Sequence, residues 1–251
     1  MIKIIMNGCN GRMGQVITQL VDESELYEIV AGIDVNTSKF NSYPVYASPD
    51  KCDVPADVII DFSHPSAFNA ITQYAIDTKT PIVVATTGLA REQLAELPKI
   101  AASIPVFFSA NMSLGINLLI DLVKKAAVFL ENNFDIEIVE KHHNKKIDAP
   151  SGTALAIADS INSVLNEKQE YIYDRHSRRK ARSQKEIGLH SIRGGTIVGD
   201  HSVIFAGNNE IIEINHTATS KDIFALGALR AAKFLAGKKP GLYSMDDLLK
   251  D

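Results

Sequence analysis

Ile2-Lys3-Ile4-Ile5-Met6-Asn7-Gly8-Cys9-Asn10-Gly11-Arg12-Met13-Gly14 is the stretch whose reading decides the fold. The apolar run Ile2–Met6 predicts a short buried strand. A glycine turn spaced Gly-x-x-Gly-x-x-Gly follows, and helical spacing then runs from about Met13 to Val21. Gly8 permits a tight turn, Gly11 lets backbone approach a pyrophosphate, and Gly14 lets the helix pack close to the strand. The helix N-terminus then turns unsatisfied N–H groups toward phosphates. The usual spacing is Gly-x-Gly-x-x-Gly, and a glycine turn alone is a weak signal. Between a strand and a helix it predicts a dinucleotide site.

Strand and helix signals go on alternating from there. Glu28–Ile33, Val58–Phe62, Pro81–Ala85 and Pro105–Ser109 read as strands, and Arg91–Ile100 has helical spacing. Such a series implies a Rossmann-type parallel sheet with helices on both faces and ligands at the carboxyl ends of its strands. Asp34 ends the second strand, where an acidic residue would accept hydrogen bonds from the adenosine ribose. Its charge opposes a 2′-phosphate, and Lys39 is the first cation after it. That pattern favours NADH, with NADPH tolerated through Lys39. The competing reading makes Asp34 a strand-end cap. Ala85-Thr86-Thr87-Gly88 and Ser109-Ala110-Asn111-Met112 end strands of the same sheet. Their backbone groups can bond a nicotinamide carboxamide; without the glycine turn both would read as ordinary loops.

The pattern changes after Asn111. Leu114–Leu130 reads as a long helix, and Phe134–Val139 alternates apolar and charged residues as a strand with one buried face. A helix to about Leu165 and a mobile basic loop, Asn166–Gln184, follow. Ile187–Arg193, His201–Ala206 and Ile211–Ala218 predict a mixed or antiparallel sheet, and Ile223–Leu235 predicts a closing helix ending near Gly237. The fold class is therefore α/β: the Rossmann-type unit, 1–112 with 221–251, plus an α+β unit, 113–220, with a mixed sheet.

Residues 140–153 carry the densest chemistry: Glu140-Lys141-His142-His143-Asn144-Lys145-Lys146-Ile147-Asp148-Ala149-Pro150-Ser151-Gly152-Thr153. They lie where a strand gives way to a helix. Adjacent histidines point apart and the lysines repel a cation, so no metal is expected. Structural histidines and a solvated lysine face are the plain alternative. Functionally, histidine and lysine suit proton donation to a bond that receives hydride. A second imidazole and the N–H groups of Ser151-Gly152-Thr153 can hold carboxylates.

The 251 residues are ordinary in composition, and a formal charge of −4 argues against general nucleic-acid binding. No apolar run is long enough to span a bilayer and no signal peptide is visible. Cys9 and Cys52 form neither a zinc spacing nor a disulfide framework, which makes the cytoplasm the expected compartment.

Glu140–Thr153 resembles the signature of the 4-hydroxy-tetrahydrodipicolinate reductase (dihydrodipicolinate reductase) family. Gly8-x-x-Gly11-Arg12-Met13-Gly14, Ala85-Thr86-Thr87-Gly88, Ala110-Asn111-Met112-Ser113 and Arg193-Gly194-Gly195-x-x-Val198-Gly199-Asp200-His201 match it too. The resemblance implies NAD(P)H-dependent reduction of a small dicarboxylate, the dehydrated form of 4-hydroxy-tetrahydrodipicolinate, in lysine and diaminopimelate biosynthesis. It implies His142 as proton donor or acceptor, Lys146 as proton donor, and His143, Gly152 and Thr153 as substrate-carboxylate ligands. It places Gly8, Cys9, Asn10, Gly11, Arg12, Met13, Asp34, Ala85, Thr86, Thr87, Ser109, Ala110, Asn111 and Met112 against the cofactor. It also implies a homotetramer assembled through the C-terminal sheet. Cys9-Asn10 departs from the small residues usual in the turn, and no arginine follows Asp34. A nucleotide-sensing regulator without turnover, and an oxidoreductase acting on a sugar or semialdehyde, are the alternatives.

Overall fold

The computed structural model describes residues 1–38 and 41–251. Lys39, the cation expected to tolerate NADPH, lies outside the described residues. Two compact units are present: Met1–Leu114 with Asp222–Asp251, and Gly115–Lys221.

The first unit holds β1 (Ile2–Asn7), α1 (Arg12–Asp22), β2 (Tyr27–Ile33), β3 (Val45–Tyr46), β4 (Val58–Asp61), α2 (Phe68–Thr78), β5 (Ile82–Val84), α3 (Arg91–Ala101) and β6 (Pro105–Phe108). With β12 (Gly241–Tyr243) from the C-terminal part of the unit, its sheet is parallel throughout, in the order β12-β6-β5-β4-β1-β2-β3. Alternation along each strand feeds two cores. Ile4, Met6, Val58, Ile60, Val83 and Phe107 pack on one side with Ile17 and Val21 of α1. Ile5, Ile59, Ile82, Val84 and Val106 pack on the other with α2 and α3. The expected Rossmann-type sheet is thus borne out, with order reversal at the β1/β4 boundary. Two parts were not legible in advance. Helix α2 puts Thr72 on its buried side, where Oγ1 bonds back to Phe68 O at 2.7 Å. A satisfied hydroxyl there breaks the apolar period. Strand β12 (Gly241–Tyr243) pairs with β6 but is too short to show alternation. It follows α6 (Asp222–Leu235) and precedes α7 (Met245–Leu248), so the chain does not close on α6.

The second unit begins within α4 (Leu114–Leu130) and continues through β7 (Asp135–His142), α5 (Gly152–Asn162), β8 (Glu170–Ile172), β9 (Glu186–Arg193), β10 (Gly199–Ala206) and β11 (Ile211–Ala218). Its sheet, β11-β10-β7-β9-β8, is mixed: β10 runs antiparallel to β7 and β11, while β9 runs parallel to β7 and β8. Helices α4 and α5 cover one face through Leu119, Val123, Ile157 and Ile161. The segment expected as a mobile loop, 166–184, is instead partly strand and pinned by charge. Arg175 and Arg182 each reach Glu137 at 2.9 Å, and Arg175 also reaches the buried Glu186 at 2.9 Å. Carboxylates on a sheet face need such partners, and the basic loop supplies them. Helix α5 stops at Asn162 rather than near Leu165, with Ser163 as its C-cap.

Candidate active site

In the first unit, Gly8 has φ +82° and its carbonyl accepts the Gly11 N–H at 3.1 Å. A Cβ at Gly14 would lie 2.3 Å from Gly8 O and 2.6 Å from Cys9 Cα, so only glycine allows α1 this close to the turn. Cys9 is fully buried; its side chain enters the core, where a Cβ at Gly32 would meet its Sγ at 2.6 Å. The unusual residue in the turn is therefore accommodated by glycine at 32. Asn10 donates its N–H to Asp34 Oδ2, and Asn36 donates its own to Oδ1, both at 2.9 Å. Asp34 thus clasps the glycine turn as well as ending β2, and each oxygen retains capacity for a second bond. Arg12 is exposed and Met13 half-buried.

A groove of about 510 Å³ opens here, bordered by Asn7, Gly8, Gly11, Asp34, Ser63 and His64. It lies at the carboxyl ends of β1 and β4, where strand order reverses and doubly wound sheets bind dinucleotides. The glycine turn beside this groove and the adjoining N-terminus of α1, with its unsatisfied N–H groups, fit a pyrophosphate. Asp61, fully buried at the end of β4, accepts bonds from Asn7 Nδ2 (2.7 Å), Ser63 Oγ (2.5 Å) and Thr86 Oγ1 (2.8 Å). Burial pushes its pKa up, and these donors oppose the rise. Thr86 is thereby locked, whereas Thr87 is exposed and Ala85 is buried. Ser109 Oγ donates to Asn111 O at 2.8 Å, Asn111 Oδ1 accepts the Ser113 N–H at 2.9 Å, and Met112 is buried. Ala110 is exposed between them. All these segments follow strands of one sheet, at its carboxyl edge.

The second unit corrects one expectation. Strand β7 does not stop at Val139 but runs to His142, keeping its alternation, so Ile136, Ile138, Glu140 and His142 share the buried face. His142 Nδ1 lies 2.5 Å from Glu140 Oε2. Arg193 grips the same carboxylate from Nη1 (2.8 Å) and Nη2 (2.7 Å), and the Ser151 N–H donates to Oε1 at 3.1 Å. Ser151 caps α5, its Oγ accepting the Ala154 N–H at 3.1 Å and lying 3.2 Å from His201 Nε2. The His142 and His201 rings meet edge to face, centroids 5.3 Å apart. Lys146 Nζ pairs with Asp148 Oδ1 at 2.8 Å, and the Lys146 N–H donates to His143 O. His143 and Thr153 are half-buried and Gly152 is exposed, where the leading N–H groups of α5 begin. Lys141 reaches Asp200 at 4.0 Å and Lys145 is exposed. The structure therefore gathers two imidazoles, a lysine and a helix N-terminus around one buried carboxylate. Glu140, Arg193 and His201 have no assigned role in the sequence reading. The signal for Glu140 was available: it continues the period-two row that starts at Ile136.

Burial, and secondarily His142, push the His201 pKa down to about 4 from 6.5. Below pH 6.5 the unfolded chain gains a proton that the folded imidazole refuses. Stability is then complete above pH 6.5, falls as pH drops toward 4, and loses up to about 3 kcal/mol in that window. Thermal melts from pH 7.5 to 4 on the protein and on His201→Asn check this. The variant is expected to have the shallower slope, and equal slopes refute the assignment.

Models of the dihydrodipicolinate reductase N-terminus and C-terminus match residues 2–112 and 115–249. The chain belongs to the dihydrodipicolinate reductase family. A 4-hydroxy-tetrahydrodipicolinate reductase of Caldanaerobacter subterraneus subsp. tengcongensis is 56% identical over 250 residues, 100% of this chain and 99% of its own length. One from Clostridium perfringens is 50% identical over 252 residues, again 100% and 99% of the two chains. A dipicolinate-bound dihydrodipicolinate reductase from Paenisporosarcina sp. TG-14 superposes with a TM-score of 0.82 at 25% identity, covering 97% of each chain. The family resemblance read from the sequence is borne out. Among the described residues, no group of three or more His, Cys, Asp or Glu could hold a metal, and no helix is long and apolar enough to cross a membrane.

Proposed function

We propose that this chain is a nicotinamide-dependent 4-hydroxy-tetrahydrodipicolinate reductase of lysine and diaminopimelate biosynthesis. The observation that carries the reading is the 56% identity to a reductase of that name across the full chain. The site chemistry agrees with it. A reduced nicotinamide supplies hydride when bound. The glycine turn, Asp34, residues 85–87 and residues 109–112 would hold the dinucleotide in the first unit. In the second, His143 and the N–H groups of Gly152 and Thr153 bind the substrate carboxylates at a helix N-terminus. Lys146 gives the proton that balances hydride addition, and His142 gives or accepts one. The substrate is a small dicarboxylate, its charges matched by this cationic cluster. Mixing the protein with NADH and freshly generated substrate tests the reading: absorbance of the reduced nicotinamide is expected to fall. Nucleotide binding without that loss would identify a sensor instead.

NADH is the favoured cofactor, supported by the Asp34 carboxylate and by the absence of a cation at residues 35–38. Asp34→Ala is expected to lower the NADH-over-NADPH ratio of kcat/KM by about tenfold, since removing one charge–ligand conflict is worth ~1 kcal/mol or more. Equal loss of both affinities supports the cap role, given the Asn10 and Asn36 bonds. The protein assembles as a homotetramer in the cytoplasm, through the five-stranded sheet, on which Ile211 is 65% exposed. Light scattering is expected to give four times 27.4 kDa.

A further inference from the structure

Glu140 is 1% exposed, and its carboxylate sits among N–H donors from Ser151 and Arg193. Oε1 takes Ser151 N–H and Arg193 Nη2; Oε2 takes Arg193 Nη1 and faces His142 Nδ1 at 2.5 Å. A guanidinium and a backbone amide can only donate. Burial pushes the Glu140 pKa up, but bonds from Arg193, Ser191 and His142 outweigh it and hold the group at about 2. An ionised carboxylate can only accept, so the proton of this contact sits on His142 Nδ1. The other ring nitrogen, Nε2, lies beside Gly199, where a Cβ would stand 3.0 Å away. Glycine at 199 leaves that side of the ring clear.

We propose that Glu140 is a positioning residue: it fixes the Nδ1–H tautomer of His142, leaves Nε2 as the nitrogen that exchanges the proton, and ties the ring to the N-cap of α5. The inference rests on the reductase reading for its consequence in turnover, but the tautomer is measurable without turnover. Arg193 completes the arrangement. It holds Glu140 from β9 and donates from Nη2 to Asp148 O at 2.6 Å, so the loop carrying Lys146 is tied to the same carboxylate.

The test begins with the unaltered full-length protein. Nitrogen-15 imidazole shifts of His142 in its neutral form are expected to report Nδ1 protonated and Nε2 bare. Glu140→Gln puts an NH₂ group among four donors, and the ring is expected to switch to the Nε2–H tautomer. Turnover then falls by about 10²- to 10⁴-fold, the range for disabling a general acid–base or its orienting carboxylate. KM changes by less than about fivefold, because the carboxylate ligands are intact. Glu140→Asp keeps the charge and is expected to retain the Nδ1–H form and recover part of the rate. An Nε2-protonated ring in the unaltered protein overturns the proposal whether or not any variant folds. So does a Glu140→Gln protein with unchanged tautomer and rate. An Nδ1-protonated ring in a protein that never oxidises NADH supports the tautomer assignment and defeats the reductase reading.

Discussion

Lys146→Ala is expected to cut turnover by on the order of 10²- to 10⁴-fold, the usual cost of losing a positioned proton donor. Its side chain pairs with Asp148, at 2.8 Å, and the Asp148 side chain is 56% exposed. An ion pair so open to water adds little to stability, so the variant should fold. Proton donation acts in the chemical step rather than in holding the cofactor, so NADH affinity is expected to change by less than about threefold. Stopped-flow turnover and a fluorescence titration with NADH, run on one preparation, separate the two quantities. Unchanged turnover removes Lys146 from the mechanism. Parallel loss of turnover and NADH affinity assigns it to binding instead.

Gly14→Ala is expected to lower NADH affinity by at least about 100-fold and to destabilise the first unit by roughly 1–3 kcal/mol or more. The added methyl would meet Gly8 O at 2.3 Å and Cys9 O at 2.6 Å. Those atoms are backbone and have no rotamer to change, so α1 must move off the turn that receives the phosphates. Gly194→Ala serves as the control, because a Cβ there meets nothing within 4 Å. Titration with NADH and calorimetry of both variants decide the matter. A Gly14→Ala protein that binds like Gly194→Ala contradicts the role given to the turn.

Much of this was legible in the sequence because local patterns agreed with the global fold. The glycine turn, the apolar strands and the helix over 114–130 each carry their own period. Glu140 and the histidines show where legibility stops. The residues were visible, but the row to which they belong depends on how far β7 continues, and polar residues on a buried face look like a strand end. The 166–184 segment was misread for a related reason: its arginines read as solvated until the carboxylates of Glu137 and Glu186, distant in sequence, come beside them. Short strands such as β3 and β12 exist because a neighbouring strand pairs with them, which no local window contains.

The first unit is discontinuous, and this orders its formation in time. Ala225, Ala228, Ala232 and Leu235 of α6 share a core with Ile4 and Met6, and β12 adds the edge strand beside β6. Residues more than 200 positions apart in the sequence must therefore meet before that core is dry. Gly115–Lys221 is contiguous and can be finished while 222–251 are still inside the ribosome. Contacts that span so much chain also close slowly. The strand face that packs on α6 is thus covered later than the face that packs on α2 and α3.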